Sequence, residues 1–131
     1  MNRIWVVDDD EEMIRAVRMM LALLDCESTG FFHPRLAVQA MLDGGRPELM
    51  LLDINMPEVT GLDLLEFLRR HPATKELPVV MLSTESSDVM IDRARELGAD
   101  AYVSKPVTLE ELERAMKEAF GKRKKSVISE K

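Results

Sequence analysis

Five short apolar runs, each followed by an amphipathic segment, pace this chain almost from end to end. "RIWVVD" leads into "EEMIRAVRMMLALLD", where Ile14, Val17, Leu21 and Leu24 recur at the three- and four-residue spacing of one helix face. "CESTGFF" is a weaker strand candidate, interrupted by Gly30, and the short helix candidate "PRLAVQAML" is stopped by Gly44 and Gly45. "ELMLLD" is apolar at consecutive positions, as expected of a strand buried on both faces of a parallel sheet. Pro57 and Gly61 mark a loop, and "LDLLEFLRR" is helical up to Pro72. "LPVVMLS" reads as a strand and "SSDVMIDRARELG" as a helix closed by Gly98. "DAYVS" and "TLEELERAMKEAFG" complete the series, with Thr108 as N-cap and Gly121 just past the helix end. Such alternation predicts an α/β fold with a parallel sheet and right-handed crossovers.

A length of 131 residues suits one domain, expected over residues 1–121, with 122–131 as a basic tail or linker stub. Apolar residues at 46% and charged residues at 32% place the chain among globular rather than disordered sequences. The net charge is −6, yet the last eleven residues hold five Lys/Arg against one Glu, so residues 1–120 carry −10. An acidic body of this kind is a poor non-specific ligand for nucleic acid, and no direct nucleic-acid contact is expected. No apolar run approaches the ~20 residues that span a bilayer. No basic-then-apolar leader opens the chain, and its single cysteine, Cys26, cannot form an internal disulfide. The expectation is a cytoplasmic protein with no membrane contact.

Polar groups gather at the ends of the predicted strands. The first strand stops against five consecutive acids, Asp8 to Glu12, and the third ends in Asp53. The fourth ends in Ser83 and Thr84, and Lys105 follows the fifth. Ligands of open α/β sheets bind beyond the carboxyl ends of the strands, so these groups are candidates for one pocket. Asp10, Glu11 and Glu12 are accounted for as cap and first-turn charges of the first helix. Taken singly, Asp8 and Asp9 could equally be caps and Asp53 a turn residue; it is their occurrence with Ser83 and Lys105 at successive strand ends that points to one site, where the clustered carboxylates would repel. A divalent cation relieves the repulsion, and Mg²⁺ favours sparse, partly hydrated carboxylate sites.

"VVDDD", "LLDINMPEVTG", "VVMLSTES" and "DAYVSKP" occur in this order at separations that resemble those of the receiver domains of bacterial two-component response regulators. The resemblance spans residues 3 to 120 and is closest in kind to single-domain chemotaxis regulators. It implies a flavodoxin-like (βα)5 fold, a doubly wound five-stranded parallel sheet of order 2-1-3-4-5. It makes Asp53 the phosphoryl acceptor. Asp9 and Asp53 would ligate Mg²⁺ (or Mn²⁺) directly, with the backbone carbonyl of Asn55 as a third ligand and Asp8 acting through water. Ser83 and Lys105 would each contact a phosphoryl oxygen, and Tyr102 would be the switch aromatic. Pro106 would follow a cis peptide bond, and Asn55 and Glu85 would flank the line of water attack that sets the phosphoryl lifetime.

The implied partners are a sensor histidine kinase or phosphotransfer protein upstream and a protein target or output domain downstream. The readout face would be the fourth helix, fifth strand and fifth helix, with Arg93, Arg95, Tyr102 and Glu111 as contact residues; the same face is a candidate homodimer surface. Some details depart from the family pattern: Ser83 stands for the commoner Thr, Thr84 for a small residue, and "PEVTG" lacks the more usual Gly and acidic or Asn residues of that loop. His33 and His71, each before a proline, are expected in solvent-side loops rather than as phosphohistidines. Two rival readings remain. A haloacid-dehalogenase-like phosphatase would need a second acid where Asn55 stands, and a receiver-shaped interaction module would never be phosphorylated. The expectation is a signalling domain, with self-phosphorylation and self-dephosphorylation as its only chemistry.

Overall fold

A computed structural model describes residues 2–129 except Pro57 and Ser86, with side chains followed through Arg123. The loop marker Pro57 therefore lies outside the described residues. The elements alternate as expected: β1 (Asn2–Val7), α1 (Glu11–Leu23), β2 (Cys26–Phe31), α2 (Pro34–Leu42), β3 (Leu49–Asp53), α3 (Gly61–Arg70), β4 (Val79–Ser83), α4 (Asp88–Glu96), β5 (Ala101–Ser104) and α5 (Leu109–Ser129). All strand pairs are parallel, and the order is β2-β1-β3-β4-β5. This is the doubly wound, flavodoxin-like arrangement. No helix among the described residues is long and apolar enough to cross a membrane.

The two-residue period of the strands sorts the core into two layers. Ile4, Val6, Leu49, Leu51, Val80, Leu82 and Val103 face one way, against Ile14, Val17 and Leu21 of α1 and Leu112, Ala115, Met116 and Ala119 of α5. Trp5, Val7, Met50, Leu52, Val79 and Met81 face the other way, against Ala37 and Met41 of α2, Leu64, Leu65 and Leu68 of α3 and Ala94 of α4. β3 and β4 are buried at every position, which is why their sequences are apolar without alternation.

Gly30 does not interrupt β2; it pairs with Val6 inside the strand. A Cβ there would lie 2.5 Å from Ile14 Cγ2, so the missing side chain lets α1 pack close to the sheet. Nor does Gly121 end the last helix, which continues to Ser129. Lys122 and Arg123, expected in a tail, instead bond to the body at Asp100. His33 is the N-cap of α2, its Nδ1 accepting from the Arg35 N–H at 3.0 Å, and exposed His71 caps the end of α3. Thr108 Oγ1 accepts from the Glu111 N–H at the start of α5.

Candidate functional site

The run of acids divides according to what each carboxylate meets. Asp10 caps α1, accepting from the N–H groups of Glu12 and Met13, and Glu11 and Glu12 lie exposed in the first turn. These three offset the positive end of the helix dipole. Asp8, one residue past β1, is fully buried, and its Oδ1 accepts from the Asp10 N–H at 2.9 Å. Asp9 between them is exposed.

Register explains why Asp8 meets Asp53. Val7 pairs with Leu52, so the next residue on each strand, Asp8 and Asp53, emerges at the same edge. Gly61 opens α3 directly beneath: its N–H donates to the Ile54 carbonyl, and a Cβ there would come within 2.0 Å of the Asp53 carbonyl oxygen. No side chain fits at position 61 without moving the strand end.

Lys105, after β5, crosses to this edge. Its Nζ lies 2.9 Å from Asp8 Oδ2 and 3.0 Å from Asp53 Oδ1. The Lys105–Pro106 peptide bond that follows is cis. The ammonium is thus the counter-charge that lets two buried carboxylates stand together. Burial works against the Lys105 cation, but the bonds to Asp8 and Asp53 outweigh it and raise its pKa. Asp53 is raised as well, first by burial and then by repulsion from Asp8, against the opposing pull of Lys105.

Carboxylate oxygens of Asp8, Asp9 and Asp53 all lie within 4.8 Å of one another, a spacing that one cation can bridge. The hydrogen bonds to Asp53, from Lys105 and more distantly from the Asn55 N–H, both fall on Oδ1. Oδ2 accepts none among the described residues. The Asn55 carbonyl likewise takes no backbone hydrogen bond there. A hard cation preferring oxygen ligands fits this set: two or three carboxylates and one free carbonyl, with room for water on the exposed Asp9 side.

Ser83 ends β4 fully buried, and its Oγ accepts from the Glu85 N–H at 2.9 Å. Asn55 Nδ2 reaches both Ser83 Oγ and Thr84 Oγ1, each at 3.4 Å. Asn55 therefore links the Asp53 loop to the Ser83 loop. Half-buried Tyr102 donates its hydroxyl to the Glu85 carbonyl at 2.5 Å, which ties β5 to the same loop. Arg93, Arg95 and Glu111 are exposed, on α4 and α5. Glu111 pairs with Arg114, which also reaches Glu118 and the Tyr102 carbonyl. Sequence reasoning missed Arg114 on this face; its place one turn after Glu111 was the available signal. The structure brings Asp8, Asp9, Asp53 and Lys105 into one cluster, sets Ser83, Asn55 and Glu85 beside it, and leaves Arg93, Arg95 and Glu111 on the surface.

An α/β sheet with an acidic cluster and a lysine across its carboxyl edge has groups that could hold a metal ion or a phosphate, at the usual ligand place in such folds. A family model described as "Response regulator receiver domain" matches residues 4–117, and the chain belongs to that family of two-component signalling domains. The chain is 32% identical over 118 residues to the chemotaxis protein CheY of Pseudomonas aeruginosa, covering 90% of this chain and 95% of that one. It is 38% identical over 114 residues to the transcriptional regulatory protein CpxR of Klebsiella pneumoniae, covering 86% of this chain but 46% of the relative. The chain thus matches nearly all of one relative and under half of the other. Among solved structures, the chemotaxis protein CheY4 of Vibrio cholerae superposes with a TM-score of 0.83 at 26% identity, covering 91% of this chain and 98% of that one.

Proposed function

We propose that this chain is a phosphoacceptor switch: Asp53 takes a phosphoryl group from a phosphohistidine of a partner kinase or phosphotransfer protein, with Mg²⁺ as cofactor. The observation that carries the reading is the state of Asp53. Its carboxylate is anchored by Lys105 through Oδ1 alone, while Oδ2 accepts no hydrogen bond among the described residues. A nucleophile needs both features, a fixed position and an oxygen open to the reactant.

In the transfer, one carboxylate oxygen of Asp53 forms a bond to phosphorus as the phosphorus–nitrogen bond breaks, and the other remains for the metal. The imidazole leaves with the electron pair, and the product is an acyl phosphate. Lys105 is placed to move from carboxylate to phosphoryl oxygen, a small shift for a flexible ammonium. Ser83 already has two N–H donors on its hydroxyl oxygen and keeps its own proton to donate. Asp9, Asp53 and the Asn55 carbonyl would hold Mg²⁺ directly, and Asp8 through water; Mn²⁺ offers similar chemistry. When bound, the metal would supply positive charge for the phosphoryl oxygens. Asn55 and Glu85 border the site with polar side chains, which do not shield the acyl phosphate from water.

The switch runs from Ser83 to Tyr102. Glu85 is bonded to both, through its N–H and its carbonyl. Drawing Ser83 toward a phosphoryl oxygen would disturb the carbonyl that holds the Tyr102 hydroxyl and free the ring to turn inward. The α4-β5-α5 face, with Arg93, Arg95, Tyr102 and Glu111, would then present a different surface to a downstream protein, an output domain or a second copy. Incubation with phosphoramidate and Mg²⁺, followed by intact mass, tests this reading. One added phosphoryl group, absent with a chelator, supports it; no addition, or addition indifferent to the chelator, refutes it.

A further inference from the structure

The second charged cluster lies at the opposite end of the sheet and has no part in phosphoryl chemistry. Asp100 directly precedes β5 and is 4% exposed. Its Oδ2 accepts from Arg69 Nη2 at 3.0 Å and from the Val79 N–H at 2.9 Å. Its Oδ1 accepts from Arg123 Nε at 2.9 Å, and its carbonyl from Lys122 Nζ at 2.8 Å. Arg123 also reaches the Gly98 carbonyl and the Glu76 carboxylate. Four elements, α3, β4, β5 and α5, thus meet on one buried carboxylate.

The residue that makes this cluster informative is Gly121. Glycine inside a helix costs about 1 kcal/mol relative to alanine and commonly marks a helix end. Here a Cβ would meet nothing within 4 Å, so no packing constraint calls for glycine. The helix nevertheless runs on, and the first two side chains beyond the glycine are the ones seated on Asp100. We propose that Gly121 is a hinge and Asp100 the post that pins it: the Lys122 and Arg123 contacts hold the end of α5 in one direction relative to the sheet, and releasing them frees that end to bend or fray. The device places a flexible point and its lock where whatever follows Arg123 leaves the domain. Because Asp100 adjoins the strand that carries Tyr102, a movement of β5 changes the seat of the lock.

Hydrogen exchange on the full chain tests this, using Arg123→Ala, Gly121→Ala and the double variant. An arginine–carboxylate hydrogen bond is a charged one, so its loss should speed exchange at the amides of residues 121–125 by at least about tenfold, with β3 unchanged. Adding Gly121→Ala should restore most of the protection, because alanine removes the hinge at a position with space for its methyl group. Unchanged exchange in Arg123→Ala overturns the proposal. So does acceleration spread evenly over the sheet, which would mark general destabilisation. Failure of Gly121→Ala to rescue also overturns it, because the glycine would then not be the hinge.

Discussion

Replacing Lys105 by Met would leave two buried carboxylates facing each other with no counter-charge. The native contacts are 2.9 and 3.0 Å, and the side chains of Asp8 and Asp53 are 1% and 2% exposed. Removing one partner of a buried ion pair costs about 3–5 kcal/mol. The chain has one escape, which is to bind a proton at Asp53. That carboxyl is already raised by burial and by Asp8, with Lys105 opposing, so the substitution raises it further. A carboxylate whose pKa is raised on folding carries its full cost above the folded pKa and none below the unfolded pKa. Taking up a proton from an unfolded pKa of about 3.9 costs roughly 1.4 kcal/mol per pH unit, about 5 kcal/mol at about pH 7.5 and about 1.5 kcal/mol at about pH 5. The expected loss in Lys105→Met is therefore about 3–5 kcal/mol at about pH 7.5, capped near about 1.5 kcal/mol at about pH 5. Urea unfolding in a chelator, followed by the fluorescence of Trp5, the sole tryptophan and a core residue, measures both values. Mg²⁺ should return part of the loss, since its charge can take the place of the ammonium. An equal loss at both pH values, or no gain from Mg²⁺, would refute the reasoning.

Asp9→Ala should weaken Mg²⁺ binding by more than about tenfold while stabilising the metal-free fold, because it removes a ligand and a repelling charge together; calorimetric titration and thermal melts read the two effects. Ser83→Ala should still accept a phosphoryl group but lose a charged hydrogen bond worth about 1.5–3 kcal/mol, roughly tenfold to a hundredfold in the switch equilibrium. NMR shifts at Tyr102 on phosphorylation should therefore shrink, and shifts equal to wild type would remove Ser83 from the coupling. Gly61→Ala should cost at least about 2 kcal/mol in a denaturant titration, because its methyl group would press on the Asp53 backbone rather than on a yielding side chain.

Strand and helix identity was legible because each buried strand and each amphipathic helix declares itself through apolar spacing. Asp8, Asp9, Asp53 and Lys105 could be grouped because strand ends in such a sheet share one edge. The identity of the counter-charge was not legible: the acids pointed to a cation, but only the folded chain shows that Lys105 bridges Asp8 and Asp53. Glycine was the weakest guide. Gly30 and Gly121 read as breaks, yet one serves the close approach of α1 and the other lies within α5, just before two side chains that bond to Asp100, a residue distant in sequence. Asp100 itself reads only as the first residue of the strand candidate "DAYVS", since nothing local reveals that Arg69 and Arg123 converge on it. His33 is expected in a loop although the helix candidate already begins at Pro34; its capping role shows only in the bond that its Nδ1 accepts from the Arg35 N–H.

The central claim is that the carboxylate of Asp53 is the acceptor. Borohydride reduces an acyl phosphate but not a free carboxylate, so treating the phosphorylated chain and sequencing its peptides by mass spectrometry locates the modified residue. The account predicts one modified position, Asp53, lost in Asp53→Asn and in the presence of a chelator. Modification at Asp8, Asp9 or any other residue of the wild-type chain, or labelling that persists in Asp53→Asn, would contradict it.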